Sequence, residues 1–244
     1  LNAKKQVLLP PNRISDLEKE LAEQNIYFLT RQKLQFEVSQ NSLKFDQNFL
    51  EQSSVYFYTS GSTGQPKKIP RTLAQLFNEV AGLNESFELP EQAIAIATVS
   101  HQHIYGLLFK LLWPLASGRS FYQNQVAFPE DVVDVEKKIA HLNIANYVIS
   151  SPALLKRWTT DVVLQECIMV YSSGGKLDSG IRPFVNVPIT EVFGSSETGG
   201  IAHRQEDDAL WTPFSNVEIR QSEQQELAVK ANHACTQDWI FCAK

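Results

Sequence analysis

Short apolar runs that alternate with amphipathic segments restrict the fold of this chain more than any other feature. Six runs rich in apolar or β-branched residues are too short for helices, at residues 26–30, 55–59, 93–99, 145–150, 168–172 and 189–193. Most of them lack the regular polar and apolar alternation of a half-exposed strand. Such runs are expected of strands that are buried on both faces.

Helical patterns separate many of these runs. Residues 72–87 place their apolar side chains on one stripe, and residues 12–24 contain a Ser15-x-x-Glu18 capping box. Further helices are predicted at residues 105–116, 131–142 and 152–158. The order of strand, helix and strand predicts an α/β fold with mainly parallel sheets flanked by helices.

The pattern changes after Trp211. Residues 217–220 and 226–230 alternate polar and apolar side chains around the Gln/Glu-rich segment 221–225, which predicts an antiparallel hairpin. We therefore expect residues 1–210 to form an α/β core. Residues 211–244 should form a small antiparallel β region at the C-terminal end of the same domain.

Composition and charge exclude several kinds of partner. The net charge of -5 and a pI near 5.6 provide no basic surface for a nucleic acid. No apolar run reaches the ~18 to 20 residues that span a bilayer. Three cysteines without a C-x-x-C pair, and a start at Leu1 without a secretion signal, favour a cytoplasmic location. The missing Met predicts a trimmed chain.

A loop rich in glycine and hydroxyl residues follows the run at residues 55–59 and reads YTSGSTGQPK from Tyr58 to Lys67. Backbone N–H groups, rotatable hydroxyls and a lysine suit an anion such as a triphosphate. The spacing is not that of a Walker A loop, and the alternative is a solvent-exposed Ser/Gly linker. The candidate phosphate ligands are Ser60, Gly61, Ser62, Thr63, Gly64 and Lys67.

This decapeptide resembles the phosphate-binding signature of the adenylate-forming superfamily. That superfamily contains acyl-CoA and aryl-CoA synthetases, nonribosomal peptide adenylation domains and firefly-type luciferases. The resemblance implies that the loop surrounds the β and γ phosphates of ATP. It also implies catalytic roles for Thr59, Ser60 and Lys67.

A second segment, at the end of the run at residues 189–193, resembles the superfamily's aromatic-Gly-x-Thr-Glu motif. The residues are Phe193, Gly194, Ser195, Ser196, Glu197 and Thr198, with Ser196 in the usual Thr place. The resemblance implies nucleotide binding by this segment, with Glu197 as a catalytic Mg²⁺ ligand and Ser196 and Thr198 near the α-phosphate. The alternative is that Glu197 is an ordinary solvated carboxylate.

Two further segments lie between these motifs. Ser173, Gly174, Gly175 and Lys176 are similar to the stretch that flanks the adenine in the family, although a plain strand-to-helix turn would look alike. His103, Tyr105 and Gly106 resemble the segment near the acyl carboxylate, where Gly174 and Gly199 are also assigned. His101 is interpreted as incidental. Zinc binding by His101 and His103 is the alternative, but no further ligands complete a site nearby.

The last matches are fragmentary. Glu226 and Leu227 are similar to the family's Gly-Glu-Leu strand, and Thr236-Gln237-Asp238 is similar to its Thr-Gly-Asp. The resemblance implies that Asp238 accepts hydrogen bonds from the ribose. A glutamine replaces glycine in both places, which puts the local backbone in doubt.

The resemblance implies activation of a carboxylic acid, fatty or aryl, as acyl-AMP at the expense of ATP, with Mg²⁺. A thiol of CoA or of a phosphopantetheine carrier, such as an acyl carrier protein, then accepts the acyl group. The small C-terminal lid domain of the family is expected to be absent, so the isolated chain should be weakly active or inactive. A non-catalytic nucleotide-binding homologue and an NTPase remain as alternatives.

Overall fold

Three β-sheets form the framework of the computed structural model, which describes residues 7–9, 47–59 and 67–242. The predicted helix at 12–24, the predicted strand at 26–30 and the loop residues 60–66 lie outside this part. The first sheet contains β1 (Val7–Leu9), β2 (Ser54–Thr59) and β3 (Lys67–Thr72). In it β2 pairs in parallel with β1 and antiparallel with β3.

The second sheet is the largest, with the strand order β10-β9-β8-β7-β6-β4-β5. Its strands are β4 (Ile94–Ala97), β5 (Ser120–Phe121), β6 (Asn146–Ser150), β7 (Cys167–Ser172), β8 (Ile189–Ser195), β9 (Gly199–Arg204) and β10 (Thr212–Pro213). The pairs from β5 to β8 are parallel, whereas β9 and β10 add antiparallel pairs at one edge. The mainly parallel α/β architecture is therefore confirmed.

The helices predicted at residues 72–87, 105–116, 131–142 and 152–158 all have counterparts, whereas the helical segments Gln47–Gln52 and Ser179–Phe184 were not predicted. The helices are α1 (Gln47–Gln52), α2 (Leu73–Ser86), α3 (Ile104–Gly106), α4 (Trp113–Ala116), α5 (Pro129–Ile139) and α6 (Pro152–Leu155), with a π-helix at Leu107–Leu112 and 3₁₀ segments at Ala140–Leu142 and Ser179–Phe184. Helix α2 begins at a capping box. The Gln75 N–H donates to Thr72 Oγ1 and the Thr72 N–H donates to Gln75 Oε1.

Two apolar clusters cover the two faces of the large sheet. Ala95 and Ala97 of β4 contribute to one cluster with α2, and Ile96 contributes to the other with α5 and α6. Successive side chains of a strand point to opposite faces, so both sets are buried only because both faces are covered. This explains the uninterrupted apolar runs in the sequence.

Strand β3 was missed by the sequence analysis, which led the phosphate loop directly into the helix at residue 72. The segment Lys67–Thr72 contains three basic residues and Pro70, so it shows no apolar run. It becomes a strand because it pairs with β2 over its whole length. Within the described residues β3 is an edge strand of the first sheet, where the missing N–H of proline is tolerated.

The third sheet confirms the predicted antiparallel region. It contains β11 (Val217–Gln221), β12 (Leu227–Ala231) and β13 (Ile240–Cys242), paired antiparallel in that order. The turn between β11 and β12 places Gln225 at φ 61°, in the left-handed region. Glutamine therefore occupies a backbone conformation that glycine adopts without steric cost.

Replacing Gln225 with Gly is expected to stabilise the chain slightly. A left-handed conformation costs a residue with a Cβ roughly 1–2 kcal/mol, and the larger unfolded-state entropy of glycine offsets part of that gain. We expect the free energy of unfolding to rise by about 0.5 kcal/mol, measured by urea denaturation. Gln224→Gly, one residue earlier at negative φ, is the matched control and should destabilise. A loss of stability in both variants would contradict this account.

Candidate active site

Three of the sequence motifs follow the carboxyl ends of parallel strands in the large sheet. The segment with His103 follows β4, residues 173–176 follow β7, and Glu197 follows β8. Strand β6 lies between β4 and β7, and β8 is the neighbour of β7. Because the carboxyl ends of parallel strands lie at one edge of a sheet, the three motifs lie together at that edge. Ligands of open α/β sheets bind at this edge.

The first sheet brings Lys67, the last residue of the predicted phosphate loop, to the same place. Thr59 and Lys67 are direct partners in the β2–β3 ladder, so they hold the two ends of the loop together. Ser60, Gly61, Ser62, Thr63 and Gly64 lie outside the described residues, and their roles stay predictions. The ladder nevertheless determines where the loop begins and ends.

Lys67 and Glu197 join two motifs that are far apart in the sequence. The Nζ atom of Lys67 lies 2.8 Å from Oε1 of Glu197. Burial alone would raise the pKa of the Glu197 carboxyl, but hydrogen bonds from Lys67 and nearby groups outweigh it, and the net pKa lies below the usual value. The carboxylate assigned to Mg²⁺ therefore remains ionised and has a cation beside it.

The turn that carries Glu197 is organised by two hydroxyl side chains. Ser195 Oγ accepts hydrogen bonds from the N–H groups of Glu197 and Thr198, at 3.2 and 3.1 Å. Thr198 Oγ1 accepts from the Ser195 N–H and donates to the carbonyl of Gly199, at 3.0 and 2.8 Å. Thr198 is buried and its hydroxyl is engaged within the turn, whereas Ser196 lines a cavity.

Glu191 stabilises the end of the glycine-rich turn after β7. This buried carboxylate accepts from the Leu177 N–H at 3.2 Å and forms ion pairs with Arg182 and Arg204 at 3.1 and 2.9 Å. Gly174 has φ 89°, and a Cβ added there would meet open space. The backbone of this turn thus lies bare at the edge of the site, as close approach of a flat ligand would require.

One opening beside this turn, the Phe193 cleft, has a volume of about 760 Å³. Phe193 packs against Trp211 with ring centroids 5.6 Å apart, and Arg204 lies over the Trp211 ring at 4.6 Å. The cleft is lined by Gly174, Gly175, Lys176, Glu191, Val192, Phe193, Gly194, Ile201, Ala202, Arg204, Trp211, Ile219 and Leu227. An opening lined by aromatic rings and by a bare glycine backbone can hold a flat heterocycle.

A second opening, the His103 cavity, has a volume of about 710 Å³ and is also bordered by this turn. It is lined by Glu79, Val99, Ser100, Gln102, His103, Ile104, Tyr105, Leu108, Phe109, Gln125, Ser151, Ser173, Gly174, Val192, Gly194, Ser195, Ser196, Gly199 and Gly200. Its apolar wall comes from α3 and the π-helix, an irregularity often found at functional sites. Gly174, Val192 and Gly194 line both openings.

Close backbone contacts explain two of the glycines. A Cβ on Gly106 would lie 2.1 Å from the carbonyl oxygen of Ser100, so glycine lets α3 pack directly on the segment after β4. A Cβ on Gly194 would lie 2.2 Å from the carbonyl oxygen of Gly199, where β8 and β9 approach each other. Gly194 lines the His103 cavity, and Gly106 directly follows Tyr105, which also lines it.

Asp238, assigned to the ribose by resemblance, is exposed and is not among the residues that line the two openings. Its N–H donates to Thr236 Oγ1 at 3.1 Å. Its role remains a prediction.

Three residues of the site were missed by the sequence analysis: Arg71, Glu79 and Trp211. Arg71 and Glu79 form a buried ion pair of 2.8 Å behind the Glu197 turn. The sequence contained a signal for Glu79, because it is a carboxylate on the apolar stripe of α2, three residues after Leu76. Arg71 gave no such signal, since its strand was not recognised.

Zinc binding at His101 and His103 gains no support from the structure. Among the described residues, no cluster of three or more His, Cys, Asp and Glu side chains is placed to hold a metal ion. Within the same part of the chain, no helix has the length and apolar character needed to cross a membrane.

The fold and the order of the motifs around its two openings define the adenylate-forming class of enzyme domain. Residues 6–233 match the family model described as AMP-binding enzyme, and the chain belongs to that family.

Curated relatives and a solved structure are similar to this chain over two thirds of its length or more. The chain is 29% identical over 173 residues to a 4-coumarate--CoA ligase of Rhodobacter capsulatus, covering 67% of this chain and 43% of the relative. It is 30% identical over 176 residues to a putative long chain fatty acid-CoA ligase, VraA, of Staphylococcus aureus, covering 67% and 37%. The Bacillus subtilis O-succinylbenzoate coenzyme A synthetase in complex with ATP and magnesium ion has a TM-score of 0.66 at 17% identity, covering 96% and 52%. The chain thus spans less than half the length of these two curated relatives.

Proposed function

We propose that this chain is the nucleotide- and acid-binding core of an AMP-forming acid–thiol ligase. The observation that carries the proposal is the 2.8 Å contact between Lys67 and Glu197. It joins the end of the phosphate loop to the carboxylate after β8, and Ser196, the neighbour of Glu197, lines the His103 cavity. The relatives support a fatty or aryl acid as substrate and CoA or a carrier protein as acceptor.

The two openings suit the two substrates. The Phe193 cleft takes the adenine, between the aromatic ring and the glycine backbone at Gly174. The His103 cavity takes the acid, with its carboxylate near His103 and its tail along the apolar wall of α3 and the π-helix. The carboxylate oxygen then attacks the α-phosphorus, and the bond to pyrophosphate breaks. Phosphoryl-type transfer asks the protein mainly for such positioning and for charge neutralisation.

The residues present fit a Mg²⁺ ion. The Glu197 carboxylate already pairs with a positive group, the Lys67 ammonium. Mg²⁺ is commonly held by one or two carboxylates together with substrate phosphates, so a single carboxylate is sufficient here. When bound, Mg²⁺ would neutralise phosphate charge. Lys67 and the hydroxyls of the loop donate to phosphate oxygens, and the burial of the acid tail excludes water. The three unpaired cysteines, Cys167, Cys235 and Cys242, support a reducing, cytoplasmic location.

Acid-dependent exchange of labelled pyrophosphate into ATP tests this function. The full-length polypeptide that contains this chain is assayed with 4-coumarate, other aryl acids, and medium- and long-chain fatty acids. We expect exchange with at least one of these acids, and weak exchange or none from the isolated 244 residues. AMP binding without exchange for any acid would favour a non-catalytic homologue. Phosphate release without acid would favour an NTPase.

Trp211 should report on the adenine. Because its ring packs against Phe193, binding of AMP is expected to change the intrinsic fluorescence of the chain. Trp211→Phe keeps an aromatic ring in place and should remove this change while AMP still binds, as measured by calorimetry. Trp239→Phe, in contact with Arg220 in the third sheet, is the control and should retain it. A full signal from Trp211→Phe would place the base elsewhere.

A further inference from the structure

Strand β3 presents two cations to the Glu197 turn. Lys67, Ile69 and Arg71 alternate along the strand and therefore face the same side. Lys67 reaches the Glu197 carboxylate from one end of this face. Arg71 lies four residues further along β3 and donates a hydrogen bond to the main-chain carbonyl of Glu197. One strand thus contacts both the side chain and the backbone of Glu197.

Arg71 contacts the first half of the turn. Its Nη1 donates to the carbonyl oxygens of Ser196 and Glu197, at 3.3 and 3.1 Å. Its Nη2 donates to Glu79 Oε2 at 2.8 Å, and the two side chains are 0% and 5% exposed. The guanidinium suits this arrangement because it offers several donors in one rigid plane, whereas lysine offers a single point charge.

Glu79 contacts the second half of the turn. Its Oε1 accepts from the Gly200 N–H at 2.6 Å. A Cβ on Gly199 would lie 2.6 Å from Glu79 Oε2, so the glycine pair after Thr198 leaves the space that this carboxylate fills. The Cys235 N–H also donates to the Glu197 carbonyl, at 2.9 Å. Arg71 therefore binds the turn at Ser196 and Glu197. Glu79 binds it at Gly200.

We propose that the Arg71–Glu79 pair is a positioning clamp that sets the Glu197 carboxylate for Mg²⁺·ATP. A buried ion pair by itself adds little net stability, because desolvation offsets the attraction between the charges. The hydrogen bonds to the turn give the pair its role, in the manner of outer partners that orient a metal ligand. This inference rests on the proposed function, since it assumes that Glu197 serves a nucleotide-bound cation.

The test uses the double variant Arg71→Met/Glu79→Gln. Arg71→Met alone leaves Glu79 charged and unpaired in the interior and is expected to unfold the chain. The double variant removes both charges, and the new glutamine amide keeps an oxygen that can accept from the Gly200 N–H. Apart from the hydrogen bond within the pair itself, the double variant then removes only the hydrogen bonds from Arg71 to the carbonyls of Ser196 and Glu197. Circular dichroism confirms that the variant folds.

Glu136→Gln is the matched control. Counted over the whole residue, Glu136 is 3% exposed and Glu79 is 4% exposed. It also accepts hydrogen bonds from backbone N–H groups, those of Gln165 and Glu166 at 2.9 and 3.2 Å. It lies on α5, and neither it nor these partners line an opening. This variant loses a buried carboxylate far from the turn.

Two readouts are taken from each protein. The first is hydrogen exchange of peptides that cover residues 196–200 and Cys235, without nucleotide. The second is the Kd of ATP with Mg²⁺ and in EDTA, from calorimetry. For the double variant we expect faster exchange in both peptides. We also expect a Kd for Mg²⁺·ATP raised roughly 10- to 100-fold, while ATP in EDTA is hardly affected. Glu136→Gln should match the wild type in both.

Each other result overturns the clamp. Wild-type exchange, or a wild-type Kd for Mg²⁺·ATP, would mean that Arg71 does no more than compensate the charge of Glu79. Equal loss of affinity with and without Mg²⁺ would place the effect outside Glu197. If the wild-type chain bound no nucleotide at all, the proposed function would fail separately. The exchange data would then still decide whether the pair holds the turn.

Discussion

Replacing Glu197 with Gln is expected to weaken binding of Mg²⁺·ATP by roughly 10-fold or more and to leave binding of ATP in EDTA nearly unchanged. The amide keeps the shape of the side chain but removes the negative charge that Mg²⁺ requires. Residues that only hydrogen-bond to a metal ligand already change metal affinity about 10- to 100-fold. A residue that binds the metal directly should contribute at least as much. Titration calorimetry with Mg²⁺ and with EDTA measures both values.

The fold itself should tolerate this change. The ion pair with Lys67 joins side chains that are 61% and 30% exposed, and such pairs contribute only about 0–1 kcal/mol. Asp134→Asn is the control, because Asp134 forms a comparable exposed pair with Lys137 at 3.2 Å, away from both openings. Equal losses with and without Mg²⁺ would argue for a structural role of Glu197.

Replacing Lys67 with Ala is expected to raise the Kd of ATP roughly 10-fold or more and to leave that of AMP almost unchanged. A charge-assisted hydrogen bond to phosphate contributes ~1.5–3 kcal/mol, and AMP lacks the β and γ phosphates to which Lys67 is assigned. The exposed pair with Glu197, which lysine forms in the free chain, offsets at most about 1 kcal/mol of this. The loss on ATP should therefore remain measurable by calorimetry.

Lys137→Ala provides the matched control for Lys67→Ala. It removes an exposed, paired lysine of the same kind from α5 and should change neither nucleotide's affinity. If Lys67→Ala weakened ATP and AMP alike, Lys67 would be holding the fold or another part of the ligand. The placement of residues 60–67 on the triphosphate would then be wrong, although family membership would stand.

The sequence predicted the parallel sheet well because the relevant signals are local. A short apolar run such as that of Asn146–Ser150 can be buried on both faces only in a covered sheet. The helix Leu73–Ser86 carries its own periodicity and its own cap at Thr72. Strand β3 carries no such signal, since a strand of basic residues and a proline is stable only beside β2.

By itself, the sequence determined the α/β class, the order of the motifs and the family, because these depend on local periodicity and on residue types at short spacing. It also supplied Lys67 and Glu197 as candidates. Only the tertiary structure decided that these two side chains meet, because their contact depends on the first sheet lying against the carboxyl edge of the second. The Arg71–Glu79 pair behind the turn was likewise decided by packing. The role of this pair depends on the turn that it contacts in space, and the turn residues Glu197 and Gly200 lie more than a hundred residues away from it along the chain.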